Sequence, residues 1–384
     1  MTNTNLNWKN KPFLLSPAGK DYLWGGERLK QDFHKCIPMT PLAETWECST
    51  HPDGPSLVAG GEMDSLTLPE VLELHPEYLG THPSTVLQSM GLAKKQELPG
   101  TGHAAGQELP ILVKFIDAKE KLSVQVHPDD AYANSHENGC CGKTEMWYVL
   151  DAVPGAQLIY GFCRDVSREL LLDCLAKGKL PNYLQKIPVK KGDVFFIEPG
   201  TVHAIGAGVL LAEIQENSNL TYRIHDYNRL DKNGHPRPLH MEKALDVLNY
   251  RESANPRQPL RVLRYQPGCA RELLGRCKYF QVERLLVNTT QLGSSDKPSE
   301  FDEVFSIFPD CTTDANSFRV LLCIEGNGEL LMKKDVALED EAAAGVPSPI
   351  YDTLPFEKGS CIFLPANSIT CKLKGNAQLL QIEC

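Results

Sequence analysis

Residues 191–203 read KGDVFFIEPGTVH, and residues 358–369 repeat the pattern as KGSCIFLPANSI. Each copy begins with a Lys-Gly turn, continues through an apolar run of strand length, and reaches a Pro before a second extended segment. The match extends in both directions, because MWYVLD at 146–151 aligns with VLLCIE at 320–325, and residues 211–215 align with 379–383. The chain therefore contains an internal repeat of short strands and turns.

This order of strand, Gly turn, strand ending at Pro and returning strand is the pattern of the cupin, or double-stranded β-helix. We predict a mainly β fold class, with two cupin (jelly-roll) barrels and a small helical insertion. The first barrel is predicted in residues 1–255, with the insertion near 166–184. The second is predicted in residues 256–384, and the link between them near 252–258.

Apolar runs of strand length also occur outside the repeat. We predict strands at 111–116, 122–126, 146–150, 157–160, 194–197, 209–214, 279–287, 318–324, 329–332, 361–364 and 377–382. Apolar residues recur with helical spacing in three segments, 66–79, 166–184 and 241–248. Ser167 stands where it would cap the second of these helices.

The charge balance limits the partners that the chain can bind. Its 384 residues carry 39 Lys and Arg against 49 Asp and Glu, which gives a formal net charge of −10. Because nucleic acid would be repelled, we expect no nucleic-acid partner, although a local basic pocket can still bind one phosphate group. An apolar fraction of 42% is typical of a folded globular protein.

The thirteen cysteines bear on the cellular compartment. The first residues, MTNTNLNWKNKPF, contain no apolar core of a signal peptide, and the longest apolar runs are too short to cross a bilayer. We therefore expect a cytoplasmic protein with reduced thiols and no membrane partner. No CxxC pair recurs in the sequence, so the cysteines do not predict a zinc-thiolate site.

A row of polar residues interrupts the apolar pattern at residues 122–130, LSVQVHPDD. Alternation along a strand places Ser123, Gln125 and His127 on one face. In a small barrel that face lines the interior, where buried polar groups need partners. The row therefore marks a candidate site inside the first barrel.

Two further residues complete a set of metal ligands: Glu145, in the GKTE segment at 142–145, and His203. A Gln, a Glu and two His form a four-ligand set suited to zinc, with room for water or substrate. Taken singly, His127 fits a capped surface position, Glu145 a solvated strand and His203 a satisfied core position. The second copy of the repeat replaces Glu145 by Arg319 and His203 by Ile369, so we expect that barrel to bind no metal.

Several motifs resemble those of type I phosphomannose isomerases, in the short form found in bacteria. The matching stretches run in unbroken order over roughly residues 12–250, and QVHP together with GKTE is the most specific pair. They are WGG at 24–26, AETWECS at 43–49, LVK at 112–114, SVQVHPD at 123–129, GKTE at 142–145, GTVHA at 200–204, EIQ at 213–215 and TYRIHDY at 221–227. The resemblance implies that the first barrel is catalytic and that the second, a degenerate cupin, is structural.

The resemblance implies one Zn²⁺ ion per chain. In the family the zinc ligands are Gln, His, Glu and His, which correspond to Gln125, His127, Glu145 and His203. The implied reaction interconverts mannose 6-phosphate and fructose 6-phosphate through a cis-enediolate, with a small sugar phosphate as the partner. We expect such a chain to be a monomer or a weak homodimer.

Four other site residues follow from the same resemblance. Arg223 and Lys143 correspond to active-site residues in catalysis and substrate binding, Ser123 to a serine that contacts the substrate, and Glu213 to an acid near the sugar. The residues alone leave the general base open between a metal-bound hydroxide, Glu213 and Lys143. They also leave open whether Arg223 holds the enediolate oxygens, holds the phosphate or forms a structural ion pair. Because the large helical insertion of longer family members is reduced here, the residues around the phosphate are not assigned.

Two other functions are compatible with a cupin. A non-haem iron oxygenase would use two His and one carboxylate with open positions, and Gln125 as a fourth ligand argues against it. A catalytically inactive sugar-phosphate-binding regulator would keep the barrel and lose a metal ligand or Arg223. This chain has lost neither.

Overall fold

A computed structural model describes residues 10–92, 108–231, 233–256, 258–292, 307–334 and 351–384. The described residues divide into two compact units. Residues 17–56 and 86–259 form the first, called the site unit below. Described residues within 10–16, 57–85 and 260–384 form the second, called the companion unit.

Two antiparallel sheets build the site unit. Its strands, numbered in chain order through the whole protein, are β2 (Ala18–Lys20), β3 (Glu44–Cys48), β5 (Ile111–Ala118), β6 (Val124–Val126), β7 (Glu145–Ala152), β8 (Gln157–Phe162), β9 (Leu184–Pro188), β10 (Val194–Ile197), β11 (His203–Ile205), β12 (Val209–Glu216) and β13 (Tyr222–His225). One sheet has the order β10-β7-β12-β5-β3-β2 and the other the order β13-β6-β11-β8-β9.

The burial of these strands follows from their sequences. β5 (ILVKFIDA) and β12 (VLLAEIQE) are mostly apolar, and every residue of both is buried, as expected of central strands covered on two faces. β6 instead alternates, because Val124 and Val126 pack in an apolar cluster with Leu171 and Leu245. This packing leaves Gln125 on the opposite face of the strand.

The helices are short. Within the described residues they are α1 (Arg28–Phe33), α2 (Leu68–Leu74), α3 (Thr81–Ser89), α4 (Asp130–His136), α5 (Arg168–Ala176) and α6 (Met241–Val247), with 3₁₀ helices at Pro76–Leu79 and Leu180–Asn182. Ser167 caps α5 as predicted, since its hydroxyl accepts a hydrogen bond from the Leu170 amide at 3.1 Å. The predicted helix at 166–184 ends early because Gly178, with φ of 65°, and Pro181 interrupt it. Among the described residues, no helix combines the length and apolar character needed to span a bilayer.

A single antiparallel sheet of nine strands builds the companion unit. Its strands are β1 (Phe13–Ser16), β4 (Leu57–Ala59), β14 (Leu263–Gln266), β15 (Cys269–Arg276), β16 (Gln281–Asn288), β17 (Arg319–Lys333), β18 (Tyr351–Glu357), β19 (Cys361–Leu364) and β20 (Cys371–Glu383). Eight follow the order β14-β15-β16-β20-β17-β19-β1-β4, and β18 pairs with β17. One long strand, β17, replaces the two predicted at 318–324 and 329–332. Its Gly328 serves close backbone approach, since a Cβ there would lie 2.4 Å from the Lys374 carbonyl oxygen.

The companion unit also contains two segments that the sequence placed in the first domain, 1–255. Residues 10–16 and 57–85 belong to it because β1 pairs with both β19 and β4, with Leu14 opposite Ile362 and Ala59. These pairings join segments from opposite ends of the chain, which local sequence patterns do not encode. The later boundary, between residues 259 and 260, lies next to the predicted link at 252–258.

The internal repeat is reproduced in the strand register of the two units. Glu145 of β7 lies opposite Gln215 of β12 and Ile197 of β10. At the equivalent place Arg319 of β17 lies opposite Glu383 of β20 and Leu364 of β19. The alignment in which Arg319 replaces Glu145 is therefore confirmed.

Bulges and turns repeat as well. β7 has an unpaired residue at Leu150 opposite β12, and β17 has one at the matching Ile324 opposite β20. In each copy the Lys-Gly turn closes on the preceding strand, with the Gly192 amide donating to the Val149 carbonyl at 2.7 Å and the Gly359 amide to Cys323 at 2.8 Å. Both glycines have positive φ, which explains why this residue type recurs in the motif.

Candidate active site

Three neighbouring strand ends bring the predicted metal ligands together in the site unit. β6 carries Gln125 and leads directly to His127, and β11 begins at His203, which lies opposite Gln125 in the register. Glu145 is the first residue of β7 in the other sheet. The site therefore joins the inner faces of both sheets.

His127, Glu145 and His203 form a compact buried cluster. Each is at most 1% exposed, and one ligand atom from each lies within 4.8 Å of the other two. His127 Nε2 lies 3.1 Å from Glu145 Oε1, and His203 Nε2 lies 3.8 Å from Glu145 Oε2. These three residues are a possible metal site.

The outer nitrogens of both imidazoles are oriented by backbone carbonyls. His127 Nδ1 lies 2.8 Å from the Leu220 oxygen, and His203 Nδ1 lies 2.8 Å from the Thr201 oxygen. A carbonyl only accepts, so each Nδ1 carries the hydrogen and each Nε2 presents a lone pair towards the cluster. Burial, aided by Lys143, lowers the pKa of His127 to about 3, and burial also lowers the pKa of His203. Both rings are therefore neutral, as metal ligands must be.

Glu145 supplies the negative charge of the cluster. Burial opposes its ionisation, but Lys143 and the two histidines hold its pKa well below the usual range. Within the described chain neither of its carboxylate oxygens has a hydrogen bond of normal geometry. Oxygen and nitrogen lone pairs thus face one another at 3.1 Å, an arrangement that the neighbouring Lys143 ammonium stabilises and that a bound metal cation would stabilise further.

Gln125 stands beside this cluster as the fourth predicted ligand. Its side-chain amide lies 3.4 Å from His203 Nε2, and Ser123 Oγ donates to it at 3.3 Å. The amide oxygen and nitrogen exchange places on a flip of the side chain, so Gln125 can present oxygen to a metal. Two imidazoles, a carboxylate and an amide oxygen fit a divalent cation with one anionic ligand.

Lys143 is a buried cation directly beside the metal-type ligands. Its Nζ lies 2.6 Å from Glu145 Oε1 and 3.4 Å from His127 Nε2. It is 4% exposed, and its side chain borders the adjoining cavity. Lys143 can therefore contact both the cluster and a molecule in the cavity.

Glu213 lies on β12 in a second group of buried charges. Lys114 Nζ of β5 is 3.2 Å from Glu213 Oε1 and 3.7 Å from Glu44 Oε2. Trp147 Nε1 donates to Glu213 Oε2 at 2.9 Å. Burial, reinforced by Glu145, raises the pKa of Glu213, and this carboxyl group on the cavity wall is a candidate for proton transfer.

Lys114 and Glu44 were given no role by the sequence analysis, although both lie in quoted motifs. The available signal is a charged residue within an apolar strand, as Lys114 is in ILVKFIDA. Such a residue must be paired when the strand is central, because an isolated buried charge is costly.

Arg223 and Ser123 form the opposite wall. Arg223 lies opposite Gln125 in the β13–β6 register, and its Nε donates to Ser123 Oγ at 3.3 Å. Its Nη1 donates to the Pro238 carbonyl at 3.0 Å, and burial lowers the pKa of the guanidinium. These contacts hold the donor fork of Arg223 in one orientation.

All of these groups meet at a cavity of about 810 Å³ within the site unit. Predicted site residues on its wall are Ser123, Gln125, Lys143, Glu213 and Arg223. Tyr22, Trp24, Glu44 and Lys114 also line it. The structure thus gathers every predicted site residue at or directly behind one polar cavity.

Comparison with known proteins matches this geometry to a family. The model of the type I phosphomannose isomerase catalytic domain matches residues 13–140. The mannose-6-phosphate isomerase ManA of Bacillus subtilis is 31% identical over 370 residues, which cover 96% of this chain and 98% of that protein. The chain belongs to the type I phosphomannose isomerases. It is therefore an isomerase, as the motifs predicted.

Other members of the phosphomannose isomerase family agree. The mannose-6-phosphate isomerase of Streptococcus mutans is 40% identical over 245 residues, covering 64% of this chain and 70% of that protein. The crystal structure of the Bacillus subtilis mannose 6-phosphate isomerase has a TM-score of 0.75 and 31% identity, with 97% and 99% of the two chains covered. The apo form of the Salmonella typhimurium mannose 6-phosphate isomerase, at 14% identity, matches with a TM-score of 0.63 over 97% of this chain and 98% of that chain, and it supports the fold alone. The predicted fold class, mainly β with antiparallel cupin-type sheets, is confirmed.

Proposed function

We propose that this chain interconverts mannose 6-phosphate and fructose 6-phosphate. The observation that carries the proposal is the buried His127–Glu145–His203 cluster, which reaches a polar cavity through Gln125 and Lys143. A metal-type cluster with adjacent acid, base and arginine side chains suits proton transfer next to a carbonyl. The relatives that share the chain's length are named for this reaction.

We propose that Gln125, His127, Glu145 and His203 hold one Zn²⁺ ion. Bound there, zinc would supply Lewis acidity, which polarises the substrate carbonyl and stabilises developing negative charge. The neutral amide and imidazoles leave Glu145 as the single anionic ligand, so the loaded site would keep a net positive charge. The lone-pair contacts within the cluster support this assignment.

We propose Glu213 as the residue that moves the proton. The isomerisation takes a proton from C2 of the aldose, forms the cis-enediolate and returns a proton to C1. Glu213 is 3% exposed and lies on the cavity wall, and burial raises its pKa, which favours a carboxyl group that can both accept and donate a proton. The Lys143 ammonium would hydrogen-bond the substrate oxygens beside it.

We propose that Arg223 stabilises negative charge on the enediolate. Ser123 and the Pro238 carbonyl fix its guanidinium before substrate binds, and preorganised donors cost no reorganisation during the reaction. Ser123, which contacts both Arg223 and Gln125, would position the arginine and contact the sugar.

Proton NMR in D₂O tests the proposed reaction directly, because it follows both the product and the exchanged proton. Zinc-loaded protein should convert mannose 6-phosphate to fructose 6-phosphate, with solvent deuterium entering C1 of the product. Glucose 6-phosphate serves as the matched non-substrate. Absence of fructose 6-phosphate with fully loaded protein would overturn the proposal and leave a binding protein instead.

We also propose a cytoplasmic enzyme that is a monomer or a weak homodimer. The described residues include all thirteen cysteines, and no disulfide bond joins any of them, in keeping with a reducing compartment. Light scattering over a range of protein concentrations measures the oligomeric state.

A further inference from the structure

The loop that presents the active-site lysine is held by two carboxylic side chains. Residues 140–144 precede β7, so this loop carries Lys143 and leads into Glu145. The Gly142 amide donates to Asp130 Oδ1 at 3.0 Å, and the Thr144 amide donates to Glu216 Oε1 at 2.7 Å. The backbone amides on either side of Lys143, those of Gly142 and Thr144, therefore each donate a hydrogen bond to an acidic side chain.

Further contacts close the loop against the end of β12. The Glu216 amide donates to the Thr144 carbonyl at 3.1 Å, and Ser218 Oγ donates to the Cys141 carbonyl at 3.2 Å. The Lys143 amide donates to the Pro128 carbonyl at 3.0 Å. Backbone hydrogen bonds of this kind set the position of the loop but do not by themselves require an acid.

Gly142 brings the loop against the first turn of α4. A Cβ there would lie 2.6 Å from the Asp130 amide nitrogen, so only glycine allows this approach. The approach places Asp130, the first residue of α4, beside Glu216. Two acids from separate elements therefore meet beneath one loop.

Asp130 and Glu216 are neighbours beneath the loop, because their carboxylates accept from the Gly142 and Thr144 amides, which are only two residues apart. Glu216 is 0% exposed, and its Oε2 has no hydrogen bond within the described chain when the group is treated as an ionised acceptor. A proton on Oε2, donated to Asp130, would satisfy this buried oxygen. Burial and the neighbouring Asp130 raise the pKa of Glu216 to about 8, in keeping with a protonated acid at neutral pH.

We propose that Asp130 and Glu216 form a proton-sharing carboxyl pair that clamps loop 140–144 and thereby positions Lys143 and Glu145. Both acids act through the loop, since their carboxylates accept from its backbone amides, and both are therefore positioning residues. Its catalytic consequence rests on the proposed isomerase function, while the clamp itself rests only on the contacts above.

The charge of the pair decides whether the clamp closes. With one shared proton, Glu216 donates to Asp130 and both still accept from loop amides. With both acids ionised, the carboxylate of the half-buried Asp130 and that of the fully buried Glu216 would repel each other. Other titratable groups nearby are Glu108, Cys140 and Cys141, and the burial of Cys141 raises its thiol pKa.

Two substitutions of Glu216 distinguish a role in hydrogen bonding to the loop from a role in packing alone. Glu216→Gln keeps an oxygen for the Thr144 amide and gives Asp130 a permanent donor. Glu216→Leu keeps the approximate volume and removes both contacts. We expect Glu216→Leu to weaken zinc binding about 10–100-fold, as loss of a residue that orients a metal ligand does, and to lower kcat. We expect Glu216→Gln to restore both values to within about threefold of wild type at pH 7.

The thermal unfolding profile gives a readout that needs no substrate. A carboxyl whose folded pKa lies above its unfolded value binds more protons in the folded state, so its contribution to stability is lost as pH rises. The wild type should therefore lose stability relative to Glu216→Gln as pH rises from about 5 to about 8. Glu272→Gln is the matched control, because Glu272 is a buried glutamate of the companion unit paired with Arg284 at 2.7 Å.

The outcomes are distinct. Weak zinc binding in Glu216→Leu, its rescue in Glu216→Gln and the relative gain of Glu216→Gln at high pH would support the clamp. Wild-type zinc affinity in Glu216→Leu, or a constant stability difference between Glu216→Gln and wild type across this range, would overturn it. Lack of isomerase activity in the wild type would overturn the proposed function without affecting either of these measurements.

Discussion

The guanidinium of Arg223 is fixed before any substrate arrives. Its Nε donates to Ser123 Oγ and its Nη1 to the Pro238 carbonyl, while its strand lies beside Gln125. A donor held in this way can act on charge that develops during the reaction. The alternative, a clamp on the sugar phosphate in both ground and transition states, gives a different kinetic signature.

Arg223→Lys should therefore lower kcat about 10²–10³-fold and raise KM much less, because the lost interaction belongs to the transition state. Steady-state kinetics with mannose 6-phosphate measure the changes in kcat and KM separately. Zinc content should stay at the wild-type level, since arginine is not a ligand. A rise in KM with kcat unchanged would assign Arg223 to the phosphate instead, and wild-type kinetics in Arg223→Ala would make it structural.

Glu213→Gln should lower kcat about 10²–10⁴-fold while metal content stays unchanged, because a general base is lost and no ligand is removed. The amide can still accept from Trp147, so the packing around it is largely kept. Glu272→Gln again provides a buried glutamate outside the site and should leave kcat unchanged. Retention of full activity in Glu213→Gln would transfer the proton-moving role to another group.

At the level of single residues, the sequence indicated most of the site. Alternation along 122–130 placed Ser123, Gln125 and His127 on one face, and the structure brings that face to Glu145 and His203. The pairing of Lys114 with Glu44 and the meeting of Asp130 and Glu216 at one loop are not predicted from the sequence. Each joins charges from separate elements, and their proximity depends on sheet register and helix placement.

At the scale of elements, the strands that lie between a turn and a proline were predicted most accurately. β10 and β19 have the bounds predicted for 194–197 and 361–364, because a Lys-Gly turn precedes each and a Pro follows closely. β2 and β4 have only three residues each and are not predicted, whereas the equally short β6 is predicted because alternation continues beyond it through residues 122–130. β11, also of three residues, is predicted only as an extended segment without bounds. The helix predicted at 66–79 divides into α2 and a 3₁₀ turn because Pro76 interrupts it.

Removal of the α5 cap tests the helical insertion as an element. Ser167→Ala should lower the free energy of unfolding by about 0.5–2 kcal/mol, because the Leu170 amide loses its acceptor, and should leave kcat unchanged. Urea unfolding measures the change. Ser135→Ala is the matched control, since that exposed hydroxyl only donates to the Ala131 carbonyl within α4. Equal effects of the two substitutions would contradict the capping role.

At the scale of the whole molecule, the same repeat has two chemical outcomes. The companion unit places Arg319 where the site unit has Glu145, and its guanidinium donates to the Cys311 carbonyl at 3.0 Å and to Glu383 at 3.1 Å. An arginine cannot replace a carboxylate as a ligand, and Ile369 stands in place of the second histidine. The shared strand register therefore does not imply a shared metal site.

Elemental analysis of the zinc-loaded chain should accordingly find one equivalent of metal. His203→Ala should reduce this value strongly, whereas Arg319→Ala should not raise it, because removal of the arginine does not create a ligand set. Two equivalents in the wild type, with one surviving in His203→Ala, would show that the companion unit binds metal after all.

The division of the chain into units was the part of the fold least accessible to sequence. The repeat predicted two β-units and placed their later boundary near 252–258. It did not predict that residues 10–16 and 57–85 join the companion unit, because β1 gains its partners from β19 and β4. Local patterns determine strands, whereas pairing between distant strands is determined by packing of the whole chain.

The most direct test of a zinc-dependent isomerase is activity measured against metal loading. Metal-free protein, prepared with a chelator, is titrated with Zn²⁺ while a coupled assay follows fructose 6-phosphate formation from mannose 6-phosphate. We predict no activity without metal, a linear rise and a plateau at one equivalent per chain. Full activity in the metal-free protein, or none at any zinc loading, would contradict the account.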